Sequence, residues 1–171
     1  MIDIRFGPQV CGELTSGATR EWLVADGLGG YATGTVSGLR TRRYHGLLVV
    51  PGETPASRRV GLVGLDPAVR LASGARVRLG AHEWASGDVD PRGFELLERF
   101  DLVDGLPRWR WRIGDVVVER ELAMVHGRSC VAVVHRLVSG GPVQLDLAAV
   151  CTWRDAHGER RADGPAPRME P

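Results

Sequence analysis

The sequence predicts an all-β protein, a large antiparallel β-sandwich of the super-sandwich type with little helix. From Phe94 onward, turn signals recur at Asp104-Gly105, Gly114-Asp115, His126-Gly127 and Gly140-Gly141. Their spacing of roughly ten residues is the rhythm of an antiparallel meander. The runs Asp115 to Val125, Ser129 to Val138 and Pro142 to Trp153 are rich in valine and leucine, long for strands and suited to a large twisted sheet. Finally, Arg108-Trp109-Arg110-Trp111-Arg112-Ile113 alternates strictly. A strand with that period sets its arginines on a wet face and Trp109, Trp111 and Ile113 on a core face.

The remaining elements follow in order. Glu21 to Val24 reads as a strand leading into a glycine-rich turn, and Ala32-Thr33-Gly34-Thr35-Val36-Ser37-Gly38 is β-favouring and glycine-broken. Leu47 to Val50 has the character of a buried strand, and Pro51 to Arg59, with Pro51, Gly52 and Pro55, reads as a loop. Asp66-Pro67 resembles a helix start. However, Val69 and Leu71 alternate with polar or small neighbours, and Ser73-Gly74 before Arg76-Val77-Arg78-Leu79 predicts a hairpin instead. Residues 1–158 are expected to form one domain. Residues 159–171, with three prolines and no periodicity, are expected to be a disordered or truncated tail.

Composition narrows the function classes. A chain of 171 residues, 43% hydrophobic and 25% charged, is long enough for one good core and has the balance of a soluble globular domain. Its 22 basic residues are all arginine and face 21 acidic ones, so a net charge of +1 argues against a nucleic-acid partner. The absence of lysine excludes Schiff-base chemistry and a phosphate-loop lysine, and the absence of asparagine removes every N-glycosylation acceptor. Cys11, Cys130 and Cys151 are far apart without a CxxC pair and are expected to be buried free thiols. With no signal-peptide pattern and no apolar run of about 18 residues, a cytoplasmic protein without a membrane partner is expected.

Three segments concentrate polar chemistry. Gly27, Gly29 and Ala32 match the spacing of a dinucleotide-binding turn, but that site needs a helix to open there, and the residues that follow favour strand. Asp26, Gly27, Gly29 and Gly30 are therefore read as a structural turn, or as backbone lying close to another surface. Arg42, Arg43, Tyr44 and His45 precede an apolar strand. They supply donors and an aromatic ring suited to a sugar, and equally suited to pairing inside the domain or against a neighbouring one. Trp153, Arg154, Asp155 and His157 close the meander. Asp155 with His157 lacks a nucleophile partner for acid–base work, and a strand end satisfied by local pairs is the plainer reading.

No catalytic residue is assigned. Glycoside hydrolysis needs two carboxyl groups across one bond, and no pair stands out among Glu21, Asp26, Glu95, Glu98, Asp101 and Asp155. The histidines His45, His82, His126, His135 and His157 show no metal-ligand spacing, so neither metal nor cofactor is expected.

The run Glu21-Trp22-Leu23-Val24, Gly27-Leu28-Gly29-Gly30-Tyr31, Gly34-Thr35-Val36-Ser37-Gly38 and Thr41-Arg42-Arg43-Tyr44-His45-Gly46-Leu47-Leu48-Val49 closely resembles the N-terminal domain of bacterial and archaeal type glycogen debranching enzymes. Pro91-Arg92-Gly93-Phe94, Leu97-Glu98-Arg99-Phe100, Met124-Val125-His126-Gly127 and Trp153 to Gly158 follow in the family's order. The likeness therefore covers about Glu21 to Gly158. The resemblance implies an amylo-α-1,6-glucosidase acting on the branch points of glycogen or a branched α-glucan, with the catalytic carboxylates in a following (α/α)6 barrel. Nothing resembling that barrel lies in these residues, so the chain alone is expected to be inactive and its partner to be a barrel in cis or in trans. On this reading Arg42, Arg43, Tyr44, His45, Trp153, Arg154, Asp155 and His157 line the domain interface or the rim of the substrate cleft. The other expectation is a stand-alone carbohydrate-binding or structural module with Trp22, Trp109, Trp111 or Trp153 as a sugar platform. Asp26 stands where the family usually has asparagine, so an amide donor is lost there.

Overall fold

The computed structural model describes residues 3–54 and 56–161. Strands take up 55% of the chain and helix 8%, in agreement with the all-β expectation. Near the start lie β1 (Ile4–Phe6) and two short helices, α1 (Pro8–Cys11) and α2 (Leu14–Ala18). Both helices lack sequence periodicity because each is about one turn long. Pro8 stands in the first turn of α1, and the Glu13 carboxylate caps α2 by accepting from the Thr15 and Ser16 amides.

One sheet then builds from β2 (Glu21–Ala25), β3 (Tyr31–Thr35), β4 (Gly46–Pro51), β5 (Arg58–Arg70) and β6 (Arg76–Arg78). A two-stranded ribbon of β7 (Ala81–Glu83) and β8 (Val89–Arg92) and a 3-10 turn, Gly93–Leu96, lead to β9 (Leu97–Val103), β10 (Leu106–Ile113), β11 (Val116–Met124), β12 (Val131–Ser139) and β13 (Gln144–Asp155). The first sheet has the order β1-β9-β10-β11-β12 and the second β13-β5-β4-β3-β2, with β6 beside β5. Every pairing is antiparallel. The four expected breaks all fall between strands. Asp66-Pro67 lies inside β5, as the hairpin reading requires, and the loop after β4 is shorter than expected because Pro51, Arg58 and Arg59 are strand residues.

The two sheets meet around Trp109, which is 1% exposed. Its ring makes edge contacts with Trp22 at 5.2 Å and Phe100 at 5.3 Å between centroids, and its Nε1 donates to the Val36 carbonyl at 3.0 Å. Trp22 and Val36 belong to one layer, Phe100 and Trp109 to the other, so this contact fixes the stacking of the sheets. On the opposite face of β10, Arg108 and Arg110 stand across from Glu121 and Glu119 and bond them, and Arg112 reaches Glu98. Arg108 holds the Glu121 carboxyl below the usual carboxylate range. Each such cross-strand pair contributes roughly 0.2–1 kcal/mol.

One composition-based expectation fails. Cys11 is buried, but Cys130 and Cys151 are exposed free thiols. Cys130 sits in the turn between β11 and β12, and Cys151 is on β13, an edge strand. β12 and β13, each at the edge of its sheet, leave apolar side chains in solvent, among them Val134, Leu137, Leu147 and Val150. No helix among the described residues is long and apolar enough to cross a membrane. The expected tail falls largely outside the described residues, which end at 161.

Replacing Trp109 by alanine should cost about 3–5 kcal/mol in chemical denaturation, the usual loss for a large buried aromatic. Acid should weaken the fold through His135. Burial first, and Arg120 second, lower this histidine from 6.5 to about 4. The unfolded chain therefore takes up the proton more readily. Stability from this group is complete above about pH 6.5 and is lost as pH falls toward 4. Allowing for partial exposure, the loss should be about 1–2 kcal/mol, and it should vanish in His135→Gln when denaturation midpoints are compared across that range.

Candidate functional site

The β2–β3 turn is organised by Asp26, whose side chain is entirely buried. Its Oδ1 accepts from the Leu28 and Gly30 amides at 2.7 and 2.9 Å, while Oδ2 has no partner. Gly27 and Gly29 have φ of 80° and 96°, a region costly for other residues. Gly30 is required by space: a β-carbon there would lie 2.3 Å from Asp26 Oδ2 and 2.8 Å from the Val49 carbonyl oxygen. A strand, not a helix, leaves this turn, so the amides face a carboxylate within the chain and no phosphate cradle forms.

Beyond β3, consecutive residues of the loop before β4 diverge. Arg42 turns to Glu21, with 2.7 Å between Nε and Oε1. His45 is buried; its Nδ1 accepts from the Thr41 amide at 3.2 Å, leaving Nε2 3.4 Å from Glu21 Oε1. Burial holds this imidazole below the usual histidine value against the opposing pull of Glu21. His45 thus pins the loop from inside and does not stand on the surface with its neighbours.

Arg43 and Tyr44 instead meet the end of β13. Arg43 Nη1 donates to the His157 carbonyl at 2.8 Å, and the Tyr44 hydroxyl lies 3.1 Å from His157 Nδ1 with the rings edge to face. Arg154 is the tether of this arrangement. It donates to the Arg43 carbonyl and, at 3.0 and 3.1 Å, to those of Asp155 and Gly158. Asp155 Oδ1 accepts from the His157 amide at 2.8 Å and closes the turn. Trp153 is 51% exposed, with the Arg59 guanidinium 5.8 Å from its ring. A groove of about 560 Å³ runs beside it, lined also by Glu53, Thr54 and Asp155.

The structure therefore joins Arg43, Tyr44, Arg154, Asp155 and His157 in one exposed cluster flanked by Trp153, and sends Arg42 and His45 to Glu21. Such a cluster offers hydroxyl and guanidinium donors beside an aromatic face, groups suited to holding a polar ligand or a neighbouring surface. Among the described residues no group of three or more histidine, cysteine, aspartate or glutamate side chains is arranged to hold a metal ion.

A second polar group carries no local sequence signal. His82 Nδ1 lies 2.6 Å from Arg40 Nη2, and its Nε2 lies 2.6 Å from Asp66 Oδ2. A guanidinium only donates, so Nδ1 accepts and Nε2 carries the hydrogen bonded to Asp66. Trp84, 56% exposed, lies beside His82 over a pocket of about 480 Å³. Arg120, on the core face of β11, was also missed, although its even spacing with Val116, Val118 and Leu122 is a legible signal.

Fold and cluster together define a β-sandwich domain with a polar, aromatic surface fit to bind or dock. The family described as glycogen debranching enzyme N terminal matches residues 20–170, and the chain belongs to that family. No curated protein and no solved structure gives a match.

Asp26→Ala should cost about 1–3 kcal/mol by stranding the Leu28 and Gly30 amides, one of them buried. Asp26→Asn keeps the Oδ1 acceptor, and its melting temperature should stay within a few degrees of the parent's. Thermal melts of the two variants side by side check this.

Proposed function

We propose that this domain serves glycogen debranching, the hydrolysis of α-1,6 branch points in glycogen or a related α-glucan, by packing on a catalytic (α/α)6 barrel. The carrying observation is the Arg43–Tyr44–Arg154–His157 cluster, held by backbone bonds yet exposed, in a chain of this family. The bare apolar residues of β12 and β13 support a covering partner as well, since patches of that kind mark interaction surfaces. In this reading Arg43, Tyr44 and His157 meet the barrel or the rim of its cleft, Arg154 and Asp155 keep them in place, and proton transfer belongs to the barrel's carboxylates. Positioning of this sort acts on rate, because small misplacements of substrate are costly. We further place this work in the cytoplasm, where glycogen is degraded.

In a complete debranching enzyme carrying this domain, Tyr44→Ala with Arg43→Ala should lower kcat/KM for a branched dextrin by about 10- to 100-fold, with the fold intact by circular dichroism. An unchanged kcat/KM removes the cleft-rim role. The groove beside Trp153 favours a second reading, a glucan-binding module without catalysis. Calorimetric titration of the chain with maltooligosaccharides separates the two, because only the module binds them tightly without a barrel.

A further inference from the structure

Arg120 lies at the centre of the sandwich, only 9% exposed, with its guanidinium 4.2 Å from the Trp109 ring and 5.3 Å from the Trp111 ring. Among the described residues its Nε has no hydrogen-bond partner, and the Trp111 Nε1 beside it has none either. Both line a cavity of about 50 Å³ between the sheets, together with Thr35, Arg40 and Asp66. A site holding one water needs only about 10–15 Å³ by the same measure, so the space admits a small oxyanion. His135, opposite Arg120 in the strand register, adds no negative charge. Two arginines against the single carboxylate of Asp66 leave the cavity net positive, and a buried unmatched cation is costly.

Arg40, Asp66, Pro67 and Gly80 line both this cavity and the larger pocket in front of it. The two spaces therefore adjoin across these four residues. It presents the exposed Trp84 indole, whose Nε1 is fixed by a bond to the Asp90 carbonyl at 2.9 Å, and the carboxylates of Asp66 and Glu83. An indole face with carboxylate acceptors at its side suits a sugar ring with its hydroxyls. Guanidinium and indole N–H donors in a water-poor cavity suit a phosphate.

We propose that the two spaces form one binding site for a sugar phosphate, the phosphate taken by Arg120, Trp111 and Arg40 and the sugar laid on Trp84 in the outer pocket. The site is separate from the Tyr44–His157 cluster. Its test needs neither barrel nor glucan, so its outcome is independent of the function proposed above.

The purified chain is melted in the presence of glucose 6-phosphate, inorganic phosphate or glucose, with tryptophan fluorescence followed in parallel. Glucose 6-phosphate should change the tryptophan fluorescence saturably and raise Tm with the logarithm of its concentration, by roughly 5–10 °C at a hundredfold excess over Kd. Inorganic phosphate should give a shift only at higher concentration, and glucose none. Trp84→Ala, on the surface, should weaken the sugar phosphate by about two- to tenfold while leaving inorganic phosphate unaffected, a loss within the range of one aromatic contact. Arg120→Met should abolish both responses. Absence of a Tm rise and of a saturable fluorescence change in the parent chain overturns the proposal, as does an equal response to glucose 6-phosphate and inorganic phosphate. The parent and Trp84→Ala decide the matter even if Arg120→Met does not fold.

Discussion

The contact between Trp109 and its three ring and cation neighbours sets the geometry of the molecule. Trp22 and Phe100 meet the indole edge to face from opposite sheets, and Arg120 covers one of its faces. Aromatic pairs of this geometry are worth about 0.5–1.5 kcal/mol beyond the area they bury. Their larger effect is directional. Since the indole Nε1 is committed to the Val36 carbonyl, the ring has one orientation, and the spacing of the two layers follows from it. The loop from Val36 to His45 starts at that carbonyl. Placement of Arg43 and Tyr44 against β13 is therefore an indirect consequence of a core contact.

That dependence explains why some features were legible in the sequence and others were not. A strand obeys a period of two, which puts Trp109 and Trp111 on the core face and Arg108, Arg110 and Arg112 on the wet face. Loops have no period. Arg42, Tyr44 and His45 are near neighbours in sequence, yet one pairs at the surface with Glu21, one meets His157, and one is buried. Their divergence is decided by what lies opposite each, which only the assembled sheets supply. Cys130 and Cys151 failed for a similar reason, as the habit of cysteine to be buried cannot tell a central strand from an edge or a turn. The partnership of Arg40, His82 and Asp66 joins three loops and strands distant in sequence and carries no local signal.

Arg120 is the instructive case, because its period was readable and its chemistry contradicted it. Even spacing from Val116 to Leu122 assigns it to the core face, whereas the habit of arginine assigns it to solvent. The fold reconciles the two by stacking the guanidinium on indoles, which compensates part of the desolvation through cation–π attraction. Its buried Nε has no hydrogen-bond partner among the described residues. Burial lowers its pKa to about 10, still far above neutrality, so the charge persists inside the sandwich.

A leucine or methionine at position 120 would fill the same space between Trp109 and Trp111 without that penalty, and replacing buried charges by apolar residues is often neutral or stabilising. The arginine is therefore not explained by packing. Its unpartnered Nε, the unpartnered Trp111 N–H and the two adjoining cavities lined by Arg40 and Asp66 lie side by side. Core and surface are usually separate questions in a β-sandwich. Here the residue that completes the central aromatic stack also lines the cavity between the sheets, so the contact that holds the sheets together and the site proposed between them share a side chain.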